Sequence, residues 1–375
     1  MSRRILIVAG ETSGDAHGAR LARALLAIDP SLELSGMGGE RMRTAGVRTI
    51  ADSRELSVMG FSEVGSAAAR VLGAYRALTR ALNTTPRPDL LIVVDFPDFN
   101  LRLASAAQRA GVRVLYYVSP QVWAWRRGRI AKICRVVDRM IVLFPFEVEL
   151  YRSCGLDARF VGHPAAEEVA ATRTPEETRR RWSIGPDRPL VALLPGSRRA
   201  EIARMLPLML AAAERLKERA RFAVAKAPDV PRGLVEDLVA RSGASVATVE
   251  NDTYNLVAAA RAAAVTSGTA TLECALLGCP MAVVYRMSPL SYAIARRLVR
   301  VPFIALPNIV LGERIVPELV QHAATPDALA REISAFLTSE PKRMNTVARL
   351  AEIRARLRVP GAAAHSAELA LEMIA

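Results

Sequence analysis

Apolar residues fall into short runs separated by stretches of helical period, and this alternation repeats from one end of the chain to the other. "RILIVAG" (4–10) reads as a strand, "GDAHGARLARALLAI" (14–28) as a helix ending before Pro30, and "LELSGMGG" (32–39) as strand and turn. "PDLLIVVDF" (88–96) is an unbroken apolar run, as a strand buried on both faces requires. "NLRLASAAQRAG" (100–111) is a helix with Gly111 as its stop, and "VRVLYYVSP" and "RMIVLF" are further strands. Residues 161–189 then break the apolar pattern with Pro, Glu and Arg. A second series follows: "LVALLPG", a helix from Glu201, "RFAVAKAP", a helix over 233–242, "SVATVE", a helix over 254–261, "AAAVTS", a helix over 269–277 and "PMAVVYR". Strands alternating with helices imply parallel sheets covered by helices. The pattern predicts an α/β protein of two doubly wound domains facing a cleft, divided near residue 165, with Ala-, Arg- and Glu-rich helices at the end. In such sheets ligands bind beyond the carboxyl ends of strands.

The length of 375 residues agrees with two cores rather than one. A hydrophobic content of 51% and a charged content of 23% describe a globular protein, not a disordered one. The net charge of +14 adds a preference for polyanions, and its arginines are spread along the chain rather than gathered in a tail. The apolar run Ile5–Ala9 is too short for a signal-peptide core, and no stretch is long and apolar enough to span a membrane. Cys134, Cys154, Cys274 and Cys279 form no CxxC pair, which points away from zinc and toward four reduced, buried thiols.

Three loops after strands carry the candidate chemistry. "AGETSGDAHG" (9–18) spaces Gly10, Gly14 and Gly18 four apart, which matches no phosphate-binding glycine pattern, and Glu11 and Asp15 oppose an anion. Its residues suit hydroxyl groups of a ligand; the plainer alternative is a tight turn capped by Thr12, Ser13 or Asp15. "LLPGSRRAE" (193–201) suits phosphate. Gly196 allows close approach, Ser197 donates or caps, the helix start offers N–H groups, and Arg198 or Arg199 adds a planar fork. "AVTSGTATLECALLGCP" (264–280) repeats the theme with Ser267, Gly268 and Thr269. Glu273, placed on the first turn of the next helix, can accept both hydroxyls of a ribose or merely complement the helix dipole. Two anion-friendly loops and a carboxylate in one domain point to a nucleotide diphosphate bearing a sugar. A fourth loop, "VVDFPDFNLR" (93–102), sets Asp95 and Asp98 about Pro97 beyond the buried strand, either to shape the turn or to take a proton.

Elsewhere "YYVSPQVWAWRRGRIAKI" (116–133) carries Trp123 and Trp125 and then Arg126, Arg127, Arg129 and Lys132, which suits nucleic acid, a sugar ring or lipid headgroups. His163 in "VGHP" reads as structural. The segment 63–82 carries a helical stripe of Val64, Ala68, Val71, Tyr75, Leu78 and Leu82. Leu72 and Ala74 extend it beside Arg70, Arg76 and Arg80, so this helix is either core or an interfacial helix at anionic lipid.

Together "GETSGDAHGA", "MGFSEV", "DFPDFNLRLA", "YYVSPQVWAWRRGRIAKI", "FPFEVELY", "FVGHP", "LPGSRRAEI", "SGTATLECALLGCPMAVVYRM" and "LPNIVLGERIVPELVQ" resemble, in order, the motifs of the lipid-A-disaccharide synthase family. The resemblance runs from residue 8 to about 321. It departs in small ways: Thr12 stands where members commonly have alanine, and Arg199 follows the family arginine at Arg198. It implies a GT-B fold. Residues 1–165 would form an acceptor-binding Rossmann-like domain, 166–345 a UDP-sugar-binding one, and 346–375 helices crossing back to the first.

The implied enzyme is an inverting hexosyltransferase without metal or other cofactor. It joins UDP-2,3-diacylglucosamine to 2,3-diacylglucosamine 1-phosphate (lipid X), giving the β-1,6-linked disaccharide and UDP for lipid A. The resemblance places it in the cytoplasm, peripheral at the anionic inner face of the membrane, with no nucleic-acid partner; self-association stays open. It assigns the base to Asp98, with Glu11 beside it, and the UDP side to Gly196, Ser197, Arg198, Ser267, Gly268, Thr269, Glu273 and Asn308. Ser13, Val71, Leu72, Tyr75, Trp123 and Arg126 fall to the acceptor and membrane side. Another GT-B enzyme, such as a UDP-N-acetylglucosamine transferase or 2-epimerase, would share the "SGT…E" loop but not "SPQVWAWR". A non-catalytic polyanion binder would need neither "DFPDFN" nor "SGTATLE".

Overall fold

The computed structural model describes residues 2–53, 64–123, 128–228, 230–298 and 301–375. Two compact units divide the chain: residues 1–164 with 359–375, and residues 165–358.

The first unit holds seven parallel strands: β1 (Arg4–Ala9), β2 (Glu33–Gly38), β3 (Arg48–Asp52), β4 (Leu90–Val94), β5 (Arg113–Tyr117), β6 (Arg139–Val142) and β7 (Asp157–Phe160). Their order across the sheet is β3-β2-β1-β4-β5-β6-β7. Every residue of β4 is buried, as its apolar run demands. By contrast β3 and β7 are edge strands of mixed, half-buried residues, and no apolar run announces them. The helix Ala362–Glu372 belongs to this unit. Ala367, Ala370 and Met373 share a core with Leu21, Ala22 and Leu25 of the helix Thr12–Ile28. Arg139 anchors its end by donating to the Leu369 carbonyl at 2.7 Å.

The second unit holds β8 (Leu190–Leu194), β9 (Arg221–Lys226), β10 (Val246–Glu250), β11 (Ala262–Thr266), β12 (Met281–Tyr285) and β13 (Glu318–Val320), in the order β10-β9-β8-β11-β12-β13. The helix Glu340–Leu357 stays here, against the expectation that the chain crosses back from 346. Leu350, Ile353 and Leu357 are buried. Arg354 is the latch, donating to the carbonyls of Ala166 and Val169, each at 2.8 Å, and of Leu276 at 2.7 Å. The return to the first unit therefore starts at Val359.

Two smaller expectations fail. Cys134 and Cys154 are joined by a disulfide, with Cα atoms 6.3 Å apart; only Cys274 and Cys279 are free, and both are buried. The pair is separated by 20 residues, and folding of β6 and its flanking helices closes that gap. In the helix Val64–Asn83, Ala68 is exposed, whereas Leu78 and Leu82 are buried.

Candidate active site

Each sheet reverses its direction of growth once. In the first unit the chain leaves β1 toward β2 and β3, and leaves β4 toward β5, β6 and β7. The switch point lies between β1 and β4, paired Ile5 to Leu90 through Ala9 to Val94. In the second unit it lies between β8 and β11. Loops beyond the carboxyl ends of strands at a switch point splay apart and leave a crevice for ligand. The loops there are "GETSGD" and "DFPDFN" in the first unit, and "PGSRR" and "SGTA" in the second.

The "DFPDFN" loop is held in a costly shape. Asp95 and Phe96 both take positive φ, 45° and 47°, a region that non-glycine residues avoid. Backbone strain of this kind persists only where surrounding contacts fix it. Asn100 donates to the carbonyls of Val94 at 3.1 Å and Asp95 at 2.7 Å, Tyr116 donates its hydroxyl to the Asp95 carbonyl at 2.7 Å, and the Asp95 N–H donates to Tyr117. The Phe96 ring packs against Gly10, tying the loop after β4 to the loop after β1.

The two aspartates part company here. Burial, reinforced by the nearby Glu11 carboxylate, pushes the Asp95 carboxyl up to about 6. Asp98 lies in the first turn of the helix Pro97–Arg109 with its side chain 77% exposed, and it pairs with Arg129, which is only 16% exposed. Glu11 is the exposed N-cap position of the helix Thr12–Ile28, and Ser13 is exposed beside it. None of Thr12, Ser13 or Asp15 caps that helix. Asp15 is buried and accepts from the N–H groups of Gly39, Arg41 and Met42, so it holds the start of the next helix instead.

Trp123 is a correction. It is buried, donates its indole N–H to Glu147 at 3.1 Å and meets the Phe146 ring edge-on. It braces the loop after β5 rather than meeting lipid. Glu147, which the sequence reading passed over, also accepts from the N–H groups of Leu143 and Phe144, and burial pushes its carboxyl up to about 7. Its place three residues after Phe144, before a Pro-started helix, was the available signal. Burial also holds His17 and His163 neutral, down to about 4, with Arg20 adding repulsion. Arg126, with Trp125 and Arg127, lies outside the described residues. Val71 and Tyr75 pack onto the core, Tyr75 edge-on to Phe99, whereas Leu72 is 46% exposed.

In the second unit Gly196 (φ 105°) and Gly268 (φ 153°) occupy backbone regions that a side chain disfavours, and the Glu201 side chain lies against Gly196. Ser197 and Thr269 are exposed. Arg198 is 84% exposed and pairs with Glu201 at 3.3 Å. Ser267 donates to the Ile304 carbonyl at 2.9 Å. Glu273 sits on the second turn of the helix Thr269–Leu276, not the first, which weakens the dipole explanation for it. Burial raises its carboxyl above the ordinary range, and Tyr254 donates to it at 3.3 Å.

Asn308 is the second correction. It is 0% exposed, with every amide position engaged: it donates to the Val316 carbonyl and Glu318 and accepts from the N–H groups of Ile315 and Val316. It cannot touch a nucleotide. Glu318, missed in the sequence, accepts from Asn308 and from the N–H groups of Ile304 and Ala305, and Ile304 in turn holds Ser267. Asn308 acts on the "SGTA" loop through that chain of bonds.

A model of the family described as lipid-A-disaccharide synthetase matches residues 5–372. The chain belongs to this family. The lipid-A-disaccharide synthase of Geobacter metallireducens is 44% identical over 376 residues, covering 100% of this chain and 98% of that protein. The synthase of Geobacter sulfurreducens is 45% identical with the same coverage. Among solved structures, the chain is similar to the glycotransferase of kitacinnamycin (TM-score 0.64, 15% identity, 100% of each chain). It is also similar to a putative UDP-N-acetylglucosamine 2-epimerase from Listeria monocytogenes (TM-score 0.62, 13% identity, 100% of this chain and 96% of that one). At such identities these likenesses show the GT-B fold alone. Membership of the synthetase family makes the chain a glycosyltransferase of lipid A biosynthesis, acting on a sugar nucleotide and a lipid acceptor. No helix among the described residues is long and apolar enough to cross a membrane.

Proposed function

We propose that the chain transfers the diacylglucosamine of UDP-2,3-diacylglucosamine to the 6-hydroxyl of lipid X, with inversion. The observation that carries this reading is the placement of unlike chemistry at the two switch points, within a chain that matches the synthetase family from residue 5 to 372. Carboxylates crown the first sheet; glycines, hydroxyls and arginine crown the second. The first unit then takes the acceptor and the second takes UDP. Asp98 accepts the hydroxyl proton as the acceptor oxygen bonds to the anomeric carbon, and the bond from that carbon to the UDP oxygen breaks on the opposite face. Glu11 and Ser13 meet acceptor hydroxyls. Arg198 and the helix starts at 199 and 269 meet the charge that develops on the leaving diphosphate, while Glu273 accepts from the ribose.

Purified protein given both substrates should release UDP and a disaccharide lipid in equal amounts. Turnover of a different UDP-sugar and acceptor, with none of this pair, would sink the reading. Replacing Arg198 by alanine should weaken UDP binding and lower kcat/KM by roughly ten- to a hundredfold, the worth of one charge-assisted contact; unchanged kinetics would move that role to Arg199 or the backbone.

The reading extends to a peripheral position at the inner face of the membrane. Exposed Leu72 beside Arg76 and Arg80 supports it, since one apolar side chain among cations suits an anionic lipid surface. Leu72→Gln should reduce co-sedimentation with anionic vesicles without lowering Tm. Equal recovery with vesicles would remove this helix from the lipid contact.

A further inference from the structure

Lys226 ends β9 with only 7% of its surface exposed. Lysine is rarely buried to this degree without a counter-charge. Among the described residues, no hydrogen bond or ion pair reaches its ammonium group.

Its direction is fixed by the sheet. Residues two apart on a strand share a face. Phe222 and Val224 lie in the core beneath the helix Arg199–Arg215, together with Ile202, Met205 and Leu206, so Lys226 belongs to that face. Thr266 ends β11 on the same face, following Ala262 and Ala264 of the same core. The registers, Leu193 to Val224 and Leu194 to Val265, continue to set Pro195 between Lys226 and Thr266. A single row across four strands therefore reads Glu250, Lys226, Pro195 at the start of the "PGSRR" loop and Thr266, with strands about 4.8 Å apart; no hydrogen bond or ion pair joins the half-buried Glu250 to Lys226. Thr266 is 3% exposed, and its hydroxyl has no hydrogen-bond partner. The 17-residue helix Arg199–Arg215 begins above this row, and no side chain caps it. Glu201 folds back toward Gly196 and pairs with Arg198.

We propose that Lys226 is a binding residue for the pyrophosphate of the sugar nucleotide, with Thr266 beside it as a hydroxyl donor. The assignment rests on the donor being a UDP-sugar held by the second unit. It accounts for a cation and a hydroxyl that are both buried and both unpartnered at one switch point. Arg198 is engaged by Glu201 before ligand arrives, whereas no hydrogen bond or ion pair holds the Lys226 ammonium, although Glu250 stands opposite it on β10. A ligand phosphate supplies its counter-charge.

Calorimetric titration of the full chain with UDP, uridine and inorganic pyrophosphate tests this. Lys226→Met should weaken UDP and pyrophosphate binding by roughly ten- to a hundredfold, leave uridine binding unchanged and not lower Tm, because an unpaired buried charge is removed. Lys226→Arg should recover most of the affinity. Should the methionine variant fold poorly, Lys226→Gln keeps the length and polarity and is expected to show the same ligand pattern. Equal affinity of wild type and variants for pyrophosphate and UDP would overturn the proposal, as would an equal loss for uridine, which would make Lys226 a residue of the fold. Wild type that binds pyrophosphate through Lys226 but not UDP would leave the lysine in place and defeat the donor reading instead.

Discussion

Asp98→Asn is expected to lower kcat by a factor of about 10^3, with UDP affinity within twofold of wild type. General-base catalysis by a positioned side chain contributes about 10^2 to 10^4 in rate. An amide keeps the shape of the carboxylate but cannot take the proton. The fold should hardly notice. Asp98 is largely exposed on the first turn of the helix Pro97–Arg109, where a carboxylate contributes about 0.3–1 kcal/mol. Its ion pair with Arg129, whose side chain is only 16% exposed, would become a hydrogen bond to the neutral amide oxygen, which keeps the guanidinium satisfied. Steady-state rates with UDP release as the readout decide the matter. A wild-type rate would hand the proton to Asp95, the neighbouring carboxyl that burial and Glu11 raise to about 6. In that event Asp95→Asn, which tolerates the same positive φ, should be the inactive variant.

Asn308→Ala should be the most damaging single change in the second unit. The amide fills a fully buried position and closes four hydrogen bonds. Alanine leaves the N–H groups of Ile315 and Val316 without an acceptor, and the Val316 carbonyl and Glu318 short of a donor. Each buried polar group left unpaired costs about 1–3 kcal/mol, so a loss of about 3 kcal/mol or more is expected, with Tm lower by roughly 10 °C for a unit of this size. Donor binding should fall as well, because Glu318 aligns Ile304, and the Ile304 carbonyl holds Ser267 in the "SGTA" loop. Thermal melts with and without UDP separate the two effects. An unchanged Tm would show that the bonds of Asn308 are replaced by water, and the chain from Asn308 to Ser267 would lose its support.

These two residues mark what reading the chain reaches and where it stops. The place of Asp98 beyond a buried strand was legible because an apolar run followed by carboxylates marks both the strand and its end; its role as base stays a proposal. Asn308 was legible as a motif position but not as a buried one, since nothing in "LPNIVLG" shows that its amide closes a loop against Glu318 ten residues later. Trp123 misled in the same way: tryptophan near arginine looks like a surface for lipid, and only the partner at Glu147 shows that the ring faces inward.

The alternation of strands and helices, the break after residue 161, the buried central strands and the position of the candidate loops beyond them were legible in the chain. Those features rest on local periodicity and on the residue types that a strand end or helix start requires. Tertiary structure alone decided the rest. It set the strand orders that bring "GETSGD" beside "DFPDFN" and "PGSRR" beside "SGTA". It supplied the half-buried edge strands, the union of Cys134 with Cys154 and the crossing at Val359. It also placed Lys226 in a row with Thr266, two residues 40 positions apart whose only link is the pairing of β9 and β11 with β8. Contacts between distant residues depend on which strands become neighbours, and no local pattern of apolar and polar positions encodes that choice.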